Sequence, residues 1–588
     1  MHNAIFNRLE EQIVPSAKYP REQMHRFQYT KLTPEQIQQK LAAAAAGPAS
    51  RSELSETLAG KSLTIVTDKG PVLRYRFESR SALVLTEDNG APVRAGYGAL
   101  TLKRLVFFSH IVPGTQKGYN VIIDQTSNLA TVFEVWFSGY ADNREVQRQI
   151  YYGYVEAAGQ PAPTARHRIT NRLQGKGLYW KQDNGIETLE FFPSVVSSSF
   201  VEITRFGGEL TFCAPSDFIR IDDELYIYSR VECEFSGTMT LYALDLFTLE
   251  QAGLRLGFDD TDTLEYYLFR GKGEITGQLA TFQPFGDNGE TVAMGDRPAP
   301  TKKGERLVYR PLKMHPPMTA EEVRRAAQKK TVLFDPANMM AGNRAPVSGY
   351  LVGKQLTVRY DGGTAWEYRF DEIGKLHWRR AGESQWHEEV YEAYEAAEEL
   401  ILFSHMLSGA QPAECTAVAL DFANALTTCV ESRMGTRYMG NEVTQNIAFG
   451  VIEMDGAIAP LYNRHKFTDE LVGHAVTWNY SGSLTSWHVY SSPRSSSWTI
   501  FLPNGAGGLQ WSSPCNYVKL RDDCYLFTWI EEACNGSQGL IVYNTRTMHD
   551  CGFSFSVDRD GLSLNTIGAY ARNAGFFDVR KYYGPKQG

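Results

Sequence analysis

"LVFFSH" spans Leu105–His110, "LILFSH" spans Leu400–His405, and the words around them repeat in the same order. "LAGKSLT" at Leu58 answers "LVGKQLT" at Leu351, "RYRFES" at Arg74 answers "EYRFDE" at Glu367, and "RHRIT" at Arg166 answers "RHKFT" at Arg464. Between Leu63 and Leu356, His110 and His405, His167 and His465, and Glu232 and Glu531 the offsets are 293, 295, 298 and 299. Such a slow drift marks two collinear copies that differ by a few small insertions. Whatever residues 33–275 form, residues 319–575 form again, and a pseudo-two-fold relation is expected, as in a fused dimer.

Each copy opens with a helix signal. "LTPEQIQQKLAAAAAG" sets Thr33 as N-cap, Pro34 at the first helical position, Gln36 at the capping-box position and Gly47 at the exit; "MTAEEVRRAAQKK" repeats this with Thr319 and Glu322. After it come about 220 residues of period-two alternation, such as "LRYRF", "YNVIID" and "DELYIYSRVECE", with turn residues every 8 to 12 positions. A weaker internal echo, L-x-G-[K/H]-x-[L/V], begins at Leu58, Leu173, Leu351 and Leu471. The pattern predicts a mainly β chain: an N-terminal helical arm (1–57), barrel modules over 58–163, 164–275, 349–460 and 461–588, and a linker with a helix (276–348). Closure into antiparallel barrels leaves no exposed edges, so four barrel-like modules in two pseudo-two-fold-related pairs are expected.

Composition narrows the function classes. A net charge of −8 with scattered Lys and Arg gives no phosphate-tracking face, so nucleic acid is not an expected partner. No run of about 18 apolar residues occurs and the charged N-terminus lacks a signal-peptide core, which points to a cytoplasmic protein without membrane contact. The cysteines at 213, 233, 415, 429, 515, 524, 534 and 551 form no CxxC pair and have no zinc-spaced His, so reduced, semi-buried thiols, no metal and no cofactor are expected. The aromatic content of 12% suits an apolar-lined cavity for a small molecule.

The last module carries a resemblance. "TDELVG" (Thr468–Gly473), "WHVY" (Trp487–Tyr490), Trp498, the turn at Gly507 and Gly508, Cys515, and "YLFTWIE" (Tyr525–Glu531) resemble the C-terminal domain of the molybdenum cofactor biosynthesis protein F (MoaF) family. The third module, from "GKQLTVRYDGGTAWEYRF" to "LILFSH", is similar to that family's N-terminal domain. The resemblance covers the second half, the first half being a diverged copy. It implies a lipocalin-like (calycin) barrel whose mouth takes small, mostly apolar ligands. Some barrels of that shape also perform cofactor-free acid–base chemistry. The family name implies cofactor synthesis, but the sequence has no phosphate-cradling Gly loop and no Cys nucleophile motif.

Acid–base chemistry in a barrel needs titratable side chains facing the lumen. His488 and Tyr490 lie two apart on one strand face; an unperturbed imidazole there titrates near neutrality, with Tyr490 as hydrogen-bond donor. Glu531, Trp529 and Phe527 share another face, where aromatic surroundings would raise the carboxyl pKa; the other reading puts Glu531 toward solvent or beside an arginine. His488, Tyr490 and Glu531 are the candidate catalytic groups. Trp498, Trp511, Phe527, Trp529, Arg369 and His405 are candidate substrate contacts. Arg369 and its counterpart Arg76 would bind a carboxylate if they face inward, and His110 and His405 at strand ends also fit a bond to a backbone carbonyl. His488 aligns with Glu190 and Tyr490 with Phe192, so activity is expected in the second half. Two functions follow: a cofactor-independent lyase, isomerase or decarboxylase acting on a small aromatic or unsaturated metabolite, or a non-catalytic small-molecule binding protein. A homodimer is compatible with either.

Overall fold

Alternation becomes strands throughout the computed structural model, which describes residues 32–137, 144–193, 197–205, 208–232, 237–259, 261–279, 296–297, 317–437, 439–455, 458–501, 509–531 and 536–584. Eight antiparallel strands between Ser62 and Val155 close when the last pairs with the first, Ile65 opposite Val155 and Thr67 opposite Gly153. Eight more between Gln355 and Glu453 close in the same register, Val358 opposite Ile452. Glycine is required at both seams, because a Cβ at Gly153 or at Gly450 would lie 2.2 Å from the carbonyl oxygen of Val66 or Arg359.

The second and fourth modules depart from the expectation of four separate barrels: their strands belong to one 22-stranded sheet. The cause is a strand that serves two neighbours. Leu264–Leu279 pairs first with Glu250–Phe258 and then with Lys176–Gln182. In the other copy the same job is split at Gly568–Ala569: Leu562–Ile567 pairs with His549–Val557, and Tyr570–Phe577 with His474–Ser481. The far ends then pair with each other, Gly277 opposite Phe577, Gln278 opposite Phe576 and Leu279 opposite Gly575, which fuses the sheets. Gln278 and Phe576 occupy equivalent positions of the two copies, as do Ser199 and Ser497, whose hydroxyls meet at 3.1 Å. The first of these strands also runs past the boundary expected at 275.

Helix α1 (Pro34–Ala43) and helix α2 (Ala320–Lys329) start at the capping boxes read from sequence: the Thr33 N–H donates to Gln36 Oε1 at 2.8 Å and the Thr319 N–H to Glu322 Oε2 at 2.7 Å. Ile37 and Leu41 of α1 enter the apolar layer between the first barrel and the second module, and Val323 and Ala326 of α2 do so in the other copy. Polar clamps reinforce each pair. Arg166 pairs with Asp68 and Arg464 with Asp361, both at 2.8 Å, while His167 and His465 contact Thr131 and Thr428 at 2.8 and 2.7 Å. Asp421, beyond capping its own turn through Asn424, takes Arg521 of the next module at 2.7 Å. Among the described residues no helix is long and apolar enough to cross a membrane.

The seam glycines give a direct test of barrel closure. Gly450→Ala forces the first and last strands apart and should lower stability by about 1–3 kcal/mol, read as a shifted denaturation midpoint, whereas Gly482→Ala, in open space, should change little.

Candidate active site

On the strand Leu484–Val489, Ser486 and His488 face the lumen of the fourth module, joined by Tyr490 just beyond, while Trp487 and Val489 share an apolar layer with Leu189, Phe191 and Val201 of the second. Register carries the lumen face across the sheet. Trp498 lies opposite His488, and Trp511 opposite Trp498. Phe527 and Trp529 come from Cys524–Ile530, their rings 6.1 and 6.3 Å from His488, and Tyr490 stands 5.1 Å from Phe527. Glu531, half-buried at the strand's end, accepts hydrogen bonds from Trp498 Nε1 at 3.0 Å and Ser513 Oγ at 2.6 Å. His488, Tyr490, Phe527, Trp529, Trp498, Trp511 and Glu531 thus line one interior.

Arg369 and His405 are elsewhere. Arg369 is exposed on the outer face of Ala365–Glu372, over Trp386 at 4.0 Å, because Trp366, Tyr368 and Phe370 take the inward positions. His405 is fully buried inside the third module's barrel. Neither contributes to the fourth module's lumen. Cys213, Cys415, Cys429, Cys515, Cys524 and Cys551 are buried; Cys233, Cys534, Gly507 and Gly508 lie outside the described residues. Among the described residues no three His, Cys, Asp or Glu side chains converge as a metal site.

Electrostatics change the expected roles. Burial lowers the His488 pKa to about 3, so its imidazole is neutral near neutrality and acts as an acceptor rather than an acid. Its Nδ1 has no hydrogen-bond partner. Burial drives the phenol of Tyr490 well up and raises Tyr543 to about 12, so both remain protonated.

Sequence reasoning missed Asp550. It lies opposite Tyr543, whose ring packs 4.8 Å from Trp478, on the inward face of His549–Val557. Its Oδ1 accepts the Ala569 N–H at 2.6 Å, at the break in the last strand, while Oδ2 is buried without a partner. Burial raises its pKa well above the ordinary range, which favours the neutral acid. The signal was parity: Asp550, Gly552 and Ser554 alternate with Cys551, Phe553 and Phe555, which pack outward.

Titratable lumen groups are not confined to the second half, where activity was expected. Inside the second module, Arg230 and Glu190 meet in a fully buried ion pair, and Arg255 holds Glu232 at 2.6 Å and lies 3.4 Å from Glu202. In the fourth module Trp529 replaces Arg230, Ser554 replaces Arg255 and Ile500 replaces Glu202. One lumen is filled with charge and the other with aromatic rings and neutral polar groups. Removing a single partner strands the rest, so Arg230→Met, which uncovers Glu190, should destabilise the chain by about 3–5 kcal/mol in chemical denaturation.

Residues 335–436 match the MoaF N-terminal domain and residues 465–575 the MoaF C-terminal domain. The second half therefore resembles that family in both domains, with the lumen described above inside the C-terminal one. None of the curated proteins matches the chain.

Proposed function

Starting from a second half that resembles the MoaF family, we propose that this chain is a cytoplasmic, cofactor-independent enzyme of lyase, isomerase or decarboxylase type. Its substrate is a small aromatic or unsaturated metabolite held in the fourth module's lumen. The observation that carries this reading is the pair of opposed shifts in one aromatic interior: His488 held neutral by a lowered pKa, and Asp550 held neutral by a raised one. Groups pushed apart in this way are a signature of assigned acid and base roles. His488 takes a proton from the substrate and, protonated by that step, gives the same proton back at another position or to the leaving group. The Asp550 carboxyl and the Tyr490 hydroxyl donate hydrogen bonds to the oxygen on which negative charge develops. Trp498, Trp511, Phe527 and Trp529 sandwich the planar substrate, and Glu531 fixes the Trp498 indole at the rim.

A second reading, a non-catalytic small-molecule binding protein, is favoured by the bond from Ala569 N–H to Asp550 Oδ1, which gives that carboxyl a structural task at the strand break.

Incubation of a metabolite extract with the protein, followed by mass spectrometry, separates the two. Turnover predicts a compound that disappears with time and a product of altered mass or retention, slowed about 10²–10⁴-fold by His488→Gln. Stoichiometric retention by wild type and variant alike rejects catalysis. The pH profile has a set sign. His488 stays an acceptor until pH falls toward about 3, so kcat/KM should hold on the acid side and fall on the basic side, where Asp550 ionises.

A further inference from the structure

The two copies give the same histidine different surroundings. In the first barrel, His110 Nε2 contacts the Tyr75 hydroxyl at 3.1 Å and the Tyr119 ring packs 5.7 Å away. Tyr97, opposite His110, donates its hydroxyl to the Ser79 carbonyl at 2.9 Å. The nearby Glu134 accepts the Tyr151 hydroxyl at 2.8 Å and has Lys117 at 3.4 Å. Here Tyr75 engages the imidazole at Nε2, while His110 Nδ1 and the Tyr119 hydroxyl stay buried without a partner.

The third module's barrel keeps the histidine and Tyr368, the counterpart of Tyr75, whose ring packs 5.8 Å from His405, but changes the other neighbours. His405 Nδ1 donates to the Met406 carbonyl at 2.7 Å, which leaves Nε2 as an acceptor, buried and without a partner. Tyr391, opposite His405 in register, has a buried hydroxyl that is also without a partner. Thr416 stands where Tyr119 is, its hydroxyl turned to Cys429 Sγ at 3.0 Å, and Ala448 stands where Tyr151 is. Two rings are removed beside the histidine. Glu431, the counterpart of Glu134, lies opposite Thr416 with Glu414 in place of Lys117, so it has lost both the phenol and the ammonium. Trp366 and Trp378 replace Leu73 and Leu85 and stack at 4.9 Å as one wall of the interior, with His387 also stacked on the Trp378 ring at 4.6 Å and His405 6.0 Å from it.

We propose that the third module's barrel is a second ligand site, for a planar nitrogenous molecule such as an arylamine or amino-heterocycle, whose N–H groups donate to His405 Nε2 and the Glu431 carboxylate. Tyr391 donates to a ring nitrogen, and the tryptophan wall stacks on the ring face. These acceptors select a donor-rich ligand, because a molecule without N–H groups would leave the buried His405 Nε2 unsatisfied and gain nothing from the half-buried Glu431. The site is independent of the chemistry assigned to the fourth module.

2-Aminobenzimidazole is a suitable probe, with benzofuran as a planar control that has no N–H donor. Calorimetry on the full chain should find benzofuran binding about tenfold or more weaker than 2-aminobenzimidazole. Thr416→Tyr and, separately, Ala448→Tyr restore residues that the first copy accommodates, and each should weaken 2-aminobenzimidazole about tenfold or more, at an unfolding temperature like that of wild type. Crystals of wild-type protein soaked with the probe should show it beside His405, a readout that depends on no variant folding. The proposal fails if soaked crystals leave this barrel empty, or if folded variants bind as wild type does. Because His488→Gln should leave this binding unchanged, loss of the fourth-module reading would not be mistaken for loss of this one.

Discussion

Closing an antiparallel sheet on itself takes every second side chain of each strand out of water, and the chemistry of this molecule follows from what the chain puts there. The outward faces repeat between the copies with little change: α1 and α2 dock on matching apolar layers, and Arg166 and Arg464 pin matching aspartates. The inward faces do not repeat. The first barrel binds its own histidine through Tyr75, the second module fills with ion pairs, the third module's barrel presents unpartnered acceptors, and the fourth module holds an imidazole and a carboxylic acid that are both neutral. A shared frame with four different interiors is what duplication followed by divergence of lumen positions produces.

The ionic interior of the second module and the neutral interior of the fourth are alternative solutions to one problem. Polar groups enclosed by a sheet must be satisfied or uncharged. Arg230 and Arg255 compensate Glu190 and Glu232 by direct contact, and a barrel packed in that way has its polar groups engaged with one another. In the fourth module the arginine positions hold Trp529 and Ser554; Glu531, the counterpart of Glu232, takes hydrogen bonds from Trp498 and Ser513 at the rim, and Asp550 deeper in is favoured in its protonated form. A neutral carboxyl with one oxygen unpartnered is chemically open in a way that a paired one is not.

Much of this frame was legible in the sequence because it rests on local rules. The duplication, both helix caps and the shared strand face of His488 and Tyr490 follow from offsets, capping chemistry and period-two alternation. Fusion of two modules into one sheet was not legible, since it depends on three residue pairs between segments about 300 positions apart, Gly277–Leu279 and Gly575–Phe577. Arg369 was ambiguous because it sits among apolar residues on both sides; the run Trp366, Tyr368, Phe370 decides its outward direction only once the register is known. Asp550 was passed over because an acid after a turn reads as turn chemistry, and its inward setting depends on its pairing with Tyr543. His405 of the third module was grouped with His488 of the fourth because sequence does not show whether neighbouring modules share one cavity.

The central claim is that the fourth module's lumen holds both an uncharged carboxylic acid and an uncharged imidazole. Infrared spectroscopy of the full chain at neutral pH, compared with Asp550→Asn, tests it directly. The account predicts a protonated-carboxyl C=O stretch in the wild type that is absent from the variant. Spectra in which the two proteins differ only by a carboxylate band would contradict it, because an ionised Asp550 has no proton to donate in that lumen.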